Sequence, residues 1–163
     1  MDAGLLIVRL VVGLTMAAHG AQKLFGWFGG YGLAGTGNFM EQMGFRPGRV
    51  QALVAGVGEL GAGLFLAAGF LTPAAAAVLV AVMLVATLGV HLKAGFFAQS
   101  GGYEYALVLG AVALALAFTG PGALSVDRAL GFDGSGVTWG VFALLAGLVG
   151  GTVPLLTRRP VQA

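Results

Sequence analysis

Cysteine is absent from the 163 residues, which excludes a disulfide relay, a cysteine-ligated zinc and an iron–sulfur cluster. Charge is scarce as well. Lys, Arg, Asp and Glu make up 9% of the chain, against about 25% in an ordinary soluble domain. So few charges cannot keep a soluble globule hydrated. The net charge of +2 is spread along the chain, so nucleic acid is not an expected partner. Only His19 and His91 carry imidazoles, and no metal site is expected. No basic segment precedes the first apolar run, and no Ala-x-Ala site interrupts it. The N-terminus therefore reads as an uncleaved first span and not as a signal peptide.

What the chain does have is apolar length. Hydrophobic residues are 58% of it, and the mean hydropathy is +0.96. A spanning helix takes about 20 apolar residues. Five stretches approach that length: 4–25, 50–70, 73–94, 103–119 and 137–156. The fold class is therefore all-α, an integral membrane helical bundle in contact with the lipid bilayer. Thr72-Pro73 reads as a helix start, with a capping hydroxyl and a proline in the first turn. The short link before it makes a hairpin of the second and third spans. Gly120-Pro121-Gly122 ends the fourth. Trp27, Phe28, Phe96, Phe97, Tyr103 and Trp139 fall at span ends, where amphipathic rings prefer the interface.

The longest connection, 26–49, is glycine-rich and then reads Asn38-Phe39-Met40-Glu41. That pattern predicts a short interfacial helix over about 38–44, capped by Asn38. Within the loop, Gly30 to Gly35 formally matches a dinucleotide fingerprint. A membrane span precedes it where a strand is required, so a nucleotide site is not expected. Lys23, Arg46, Arg49, Lys93, Arg158 and Arg159 fall on one side of a five-span chain. By the positive-inside rule that side is cytoplasmic, with the N-terminus outside and the C-terminus inside a cell membrane crossed several times. Gly147 and Gly151 belong to a stripe of small residues. Internal packing is the first expectation for it, and a homo-oligomer seam the second.

Chemistry is expected from the polar residues inside apolar spans: Arg9, His19, Gln22, Lys23, Glu59, His91 and Glu104. Such groups are costly in lipid and face the interior or a cavity. At about 100° per residue, Arg9, Gly13, Met16, Gly20 and Lys23 share one face of the first span. Ala52, Gly56, Glu59 and Gly63 form a stripe on the second. A buried carboxylate needs a partner, and Arg9 is the expected partner of Glu59. That pair has a purely structural reading too, and Lys93 reads as a snorkelling anchor. In an up-down bundle His19, Lys23, His91 and Glu104 reach one membrane face. They are expected to build a polar pocket with Glu59 beneath it, and Trp27 and Phe28 as its lid.

With these pieces in place the sequence resembles the DoxX family over about residues 5–131. The resemblance is carried by Arg9-Leu-Val-Val-Gly13, His19-Gly20-Ala-Gln-Lys23-Leu24, Gly30-Tyr-Gly-Leu-Ala-Gly-Thr36 with Phe39-Met40, and Gly58-Glu59 with Gly63. It continues through Gly69-Phe70-Leu71-Thr72-Pro73, His91, Gly102-Tyr103-Glu104, and Gly120-Pro121-Gly122 with Ser125-Val-Asp127. The resemblance implies a four-helix core, here residues 1–131, to which 132–163 adds a fifth transmembrane helix and a basic tail. It also implies redox metabolism, either quinone-linked sulfur oxidation or oxidative-stress complexes, with other redox proteins as partners. It marks Arg9, His19, Lys23, Glu59, His91, Glu104 and Asp127 as the polar positions that matter.

The function expected is therefore a quinone-interacting oxidoreductase subunit. His19, Lys23, His91 and Glu104 would handle the carbonyls and protons. Arg9, Glu59, Trp27 and Phe28 would complete the cofactor's seat. Two alternatives stand beside it. One is a non-enzymatic scaffold or small transporter. The other is a haem-binding bundle with His19 and His91 as axial ligands.

Overall fold

The computed structural model describes residues 1–159. The last residues of the expected basic tail, 160–163, lie outside them. The chain forms α1 (Asp2–Phe25), α2 (Gly32–Gln42), α3 (Gly48–Ala68), α4 (Thr72–Val85), α5 (Glu104–Thr119), α6 (Val126–Ala129) and α7 (Val137–Leu156). Beyond Val85, α4 continues as a π turn over Ala86–His91 and a last 3₁₀ turn over Leu92–Ala94. With that extension, α1, α3, α4 and α7 are each long and apolar enough to cross a membrane. At 16 residues α5 is about 24 Å long and runs between the same two ends. The architecture is all-α, a helical membrane bundle.

Chain direction alternates through α1, α3, α4, α5 and α7. One end of the bundle therefore gathers the C-termini of α1, α4 and α7 and the N-termini of α3 and α5. It also holds Lys23, Arg46, Arg49, Lys93 and Arg158, and is called the basic end below. Direct contacts fix this arrangement. Arg158 Nε donates to the Met43 carbonyl at 2.6 Å, and Arg159 N–H donates to the Gly44 carbonyl at 2.8 Å. At the opposite end, Asp2 accepts from Ala123 N–H at 2.8 Å.

The helix packing follows from small residues. A Cβ on Gly13 would lie 2.5 Å from the Gly63 carbonyl, and one on Gly63 equally close to Ala17 N. Gly20 meets the backbone of Gly56 and Leu60 in the same way. The glycine stripes of α1 and α3 thus face each other backbone to backbone, as the sequence spacing predicts. On α7, Gly147 and Gly151 press on the backbone of Ala77 and Ala81 in α4. That stripe is used inside the bundle.

Two local expectations are corrected. The short helix after α1 begins at Gly32, not at Asn38. Glu41 turns away from a capping box and accepts from Gly48 N–H, holding the start of α3. The start of α4 is also capped from afar. Asp127 accepts from Leu71 N–H at 2.7 Å, Thr72 N–H at 3.0 Å and the Thr72 hydroxyl at 2.8 Å. Thr72 is a donor in this cap, and Leu71 holds the left-handed conformation, φ 44°, that brings its N–H to the carboxylate.

Candidate functional site

The close approach of α1 and α3 sets the geometry of the buried charges. Gly13 lies against Gly63 and Gly20 against Gly56, an antiparallel register that puts Arg9 opposite Gly69. That level is ten residues beyond Glu59, or about 15 Å of helix rise. The expected Arg9–Glu59 pair is therefore overturned by register. Lys23 takes its place, with Nζ 2.5 Å from Glu59 Oε2. The Glu59 side chain is 3% exposed and that of Lys23 25% exposed, so the carboxylate is enclosed while the ammonium side of the pair stays accessible. Gly56 beneath Lys23 leaves room for the aliphatic stem, because a Cβ there would strike Leu24 and crowd Lys23 Cβ.

Arg9 belongs to the opposite end. It is fully buried and donates from Nη2 to the Leu124 carbonyl. The charge it faces is Asp127. Its guanidinium crosses Gly69, where any side chain would collide with it and where φ is +65°. Both facts restrict that position to glycine. Arg9 Nε and Nη1 have no hydrogen-bond partner among the described residues. Arg9 lines neither of the cavities described next, so as a member of one cofactor seat with Glu59 it is corrected.

Two cavities meet at the Lys23–Glu59 pair. The larger, about 620 Å³, lies in the groove of α3, α4 and α7 under α2. Its wall is apolar, with Phe39, Met40 and Phe45 at the α2 side and Val54 and Val78 on the lipid-facing rim. The smaller, about 310 Å³, opens through Ala98 and Gly101 in the exposed loop after α4. His19, Lys23, Glu59, His91 and Tyr105 line it. Four of the five expected pocket residues are thus brought together at the basic end.

Hydrogen bonds fix both histidines. His91 Nδ1 lies 2.7 Å from the Gly101 carbonyl. A carbonyl can only accept, so Nδ1 carries the proton and Nε2 keeps its lone pair. Gln22 Nε2 donates to the Phe28 carbonyl at 3.1 Å, which turns Gln22 Oε1 toward His19 Nδ1 at 3.1 Å. His19 therefore also donates from Nδ1 and keeps Nε2 free. Its ring meets Tyr105 edge-on at 5.9 Å. The π turn of α4 positions His91. One extra residue in a turn rotates everything beyond it by about 100°, and Gly89 within it lets the Phe45 ring pack against the backbone.

Three expectations are corrected at this site. Glu104 lines neither cavity; its carboxylate accepts from Ala98 N–H at 3.0 Å and shapes the loop. Trp27 and Phe28, 59% and 71% exposed, line neither cavity and form no lid. Phe28 acts through its backbone carbonyl, and Phe45, Phe39 and Tyr105 supply the aromatic walls instead. Tyr105 has a signal in the sequence, one residue past the polar position Glu104. Phe45 has none, because its place depends on the turn between α2 and α3. Among the described residues no group of three His, Asp or Glu side chains is arranged to hold a metal ion.

Apolar helices of alternating direction, closed around a largely enclosed ion pair, define a multi-pass membrane protein of the helical-bundle class. Residues 4–92 match the family model described as DoxX, more than half of the chain, and the protein belongs to that family. No curated protein and no solved structure matches it.

Proposed function

We propose that this DoxX protein is a quinone-interacting subunit of a redox system in the cell membrane. The observation that carries the reading is the apolar cavity of about 620 Å³ that ends on Lys23, Glu59 and His91. Binding sites for small organic molecules combine apolar walls with a few convergent polar groups, in cavities of roughly 300–1,000 Å³. An isoprenoid tail suits the groove of α3, α4 and α7, and its lipid-facing rim gives entry from the bilayer. The head then meets the Lys23 ammonium as donor, Glu59 as acceptor and His91 Nε2 in either role. A bound quinone would supply the two-electron chemistry, and a partner redox protein the electrons. The basic end is the cytoplasmic one in this reading, with the N-terminus outside.

The test is equilibrium binding of a water-soluble quinone analogue to the purified full-length protein in detergent. Saturable binding is expected, weakened at least tenfold, or about 1.4 kcal/mol, by either Glu59→Gln or His91→Ala. Glu104→Gln should bind as the wild type does. Unchanged affinity in both site variants would leave the scaffold or transporter reading standing. The haem reading draws on His19 and His91 sharing one cavity with both Nε2 atoms free. A Soret band in the purified protein decides it.

A further inference from the structure

The residues that line both cavities are Lys23, Glu59, Ala86 and His91. Three of the four are ionisable, on three different helices, in a bundle with very few ionisable groups. One cavity is apolar and faces lipid. The other, the more polar of the two because His19, Lys23, Glu59, His91 and Tyr105 line it, opens at an exposed loop and is called the polar cavity below. The partition between them therefore carries an ammonium, a carboxyl and an imidazole side by side.

We infer that Glu59 is a proton-carrying carboxyl, loaded from the aqueous side through the polar cavity and presented to the apolar one. The inference deepens the quinone reading and rests on it only for the destination of the proton. Among the described residues, Lys23 gives Glu59 its one hydrogen bond. Lys23 is the more exposed partner and has a flexible four-carbon stem. When its ammonium swings toward the polar cavity, water solvates it, and Glu59 is left as an unpaired carboxylate in an apolar wall. That state is expensive, and a carboxylate so placed takes up a proton instead. The proton comes from water by way of a histidine. His91 Nε2, which starts with a lone pair, first takes a proton from hydronium in the polar cavity and leaves water behind. That N–H bond then breaks as an O–H bond forms at Glu59, the ring returns to its neutral form, and Lys23 stays an ammonium throughout. One proton enters, and the acid form then faces the apolar cavity.

The groups around Glu59 agree with this direction. From α1 come Lys23 and His19, from the π turn of α4 His91, and from α5 Tyr105. The walls from α2 and α7 bring no titratable group to either cavity. Glu41 of α2 is held by Gly48 N–H and Arg46.

Two labelling experiments test the two sides. The lipid-soluble dicyclohexylcarbodiimide reacts with protonated carboxyls in apolar sites, and mass spectrometry locates the N-acylurea product. Glu59 should be the labelled carboxyl, more slowly as pH rises. Lys23→Met should raise its rate at neutral pH at least tenfold. The cysteine-free background permits the second experiment. Ala86→Cys, reconstituted in vesicles, should react with a charged, membrane-impermeant methanethiosulfonate from one side only, through the polar cavity. A quinone analogue that fills the apolar cavity should block the carbodiimide and spare the aqueous reagent. If Glu59 resists the carbodiimide at acid pH, or the thiol introduced by Ala86→Cys resists the aqueous reagent, the proton route is wrong even where the analogue binds. If labelling occurs as described and no analogue binds, the route holds and the quinone reading falls.

Discussion

Arg9 and Lys23 sit on the same face of α1, and each has a carboxylate from another part of the chain as its neighbouring charge, but only Lys23 bonds to its carboxylate, and the two ends they occupy are built differently. At the Arg9 end, Asp127 accepts three hydrogen bonds from the start of α4. The fully buried Arg9 guanidinium at that end feels the Asp127 charge but donates to the Leu124 carbonyl instead. At the Lys23 end, Glu59 accepts one bond, from a side chain that is a quarter exposed, and faces two cavities. The first carboxylate is used up by the fold. The second keeps hydrogen-bonding capacity for something that is not protein. Burial alone does not separate the two, since both carboxylates are almost inaccessible; what separates them is the number of partners and the space beside them.

The sharpest way to break that comparison is Asp127→Ala. It removes the cap of α4 and the charge facing buried Arg9 together, with an expected loss of about 3–5 kcal/mol, read as thermal unfolding of the detergent-solubilised protein. Gly20→Val is next. It forces α1 from α3 and should cost about 1–3 kcal/mol, with weakened analogue binding, because Lys23 no longer reaches Glu59. Glu59→Gln should change stability by about 1 kcal/mol or less, since the freed ammonium finds water, while it removes carbodiimide labelling altogether. A melting shift for Glu59→Gln as large as that for Asp127→Ala would erase the distinction between the two ends. The smallest effects belong to Trp27→Ala and Phe28→Ala. Both rings are exposed, so stability should stay within about 0.5 kcal/mol and analogue affinity within twofold by equilibrium binding.

Much of this was legible before any coordinates. The spans, their alternation, the glycine faces of α1 and α3, and the meeting of His19, Lys23, Glu59 and His91 all follow from helical periodicity and from the cost of polar groups in lipid. The pairing of the acids was not legible. Arg9 and Glu59 both lie within spans, and helical periodicity fixes a face without fixing the axial register between two helices. Glu104 was misplaced for a related reason. Depth puts it at the right end, but the loop over 98–101 supplies a backbone N–H that takes its carboxylate first. Trp27 and Phe28 were read by their rings, whereas a left-handed φ of 54° at Phe28 makes its carbonyl the useful atom.

By itself, then, the order of residues determined that this is a membrane bundle and which faces of its helices turn inward. Those properties depend on composition and on a period of 3.6 residues, both of which a linear string records. Only the tertiary structure decided which cation meets which carboxylate, where the cavities open, and which nitrogen of each histidine is free. These depend on glycine-to-glycine contacts and on turns that bring residues tens of positions apart to within a hydrogen bond of each other, and no local pattern encodes that distance.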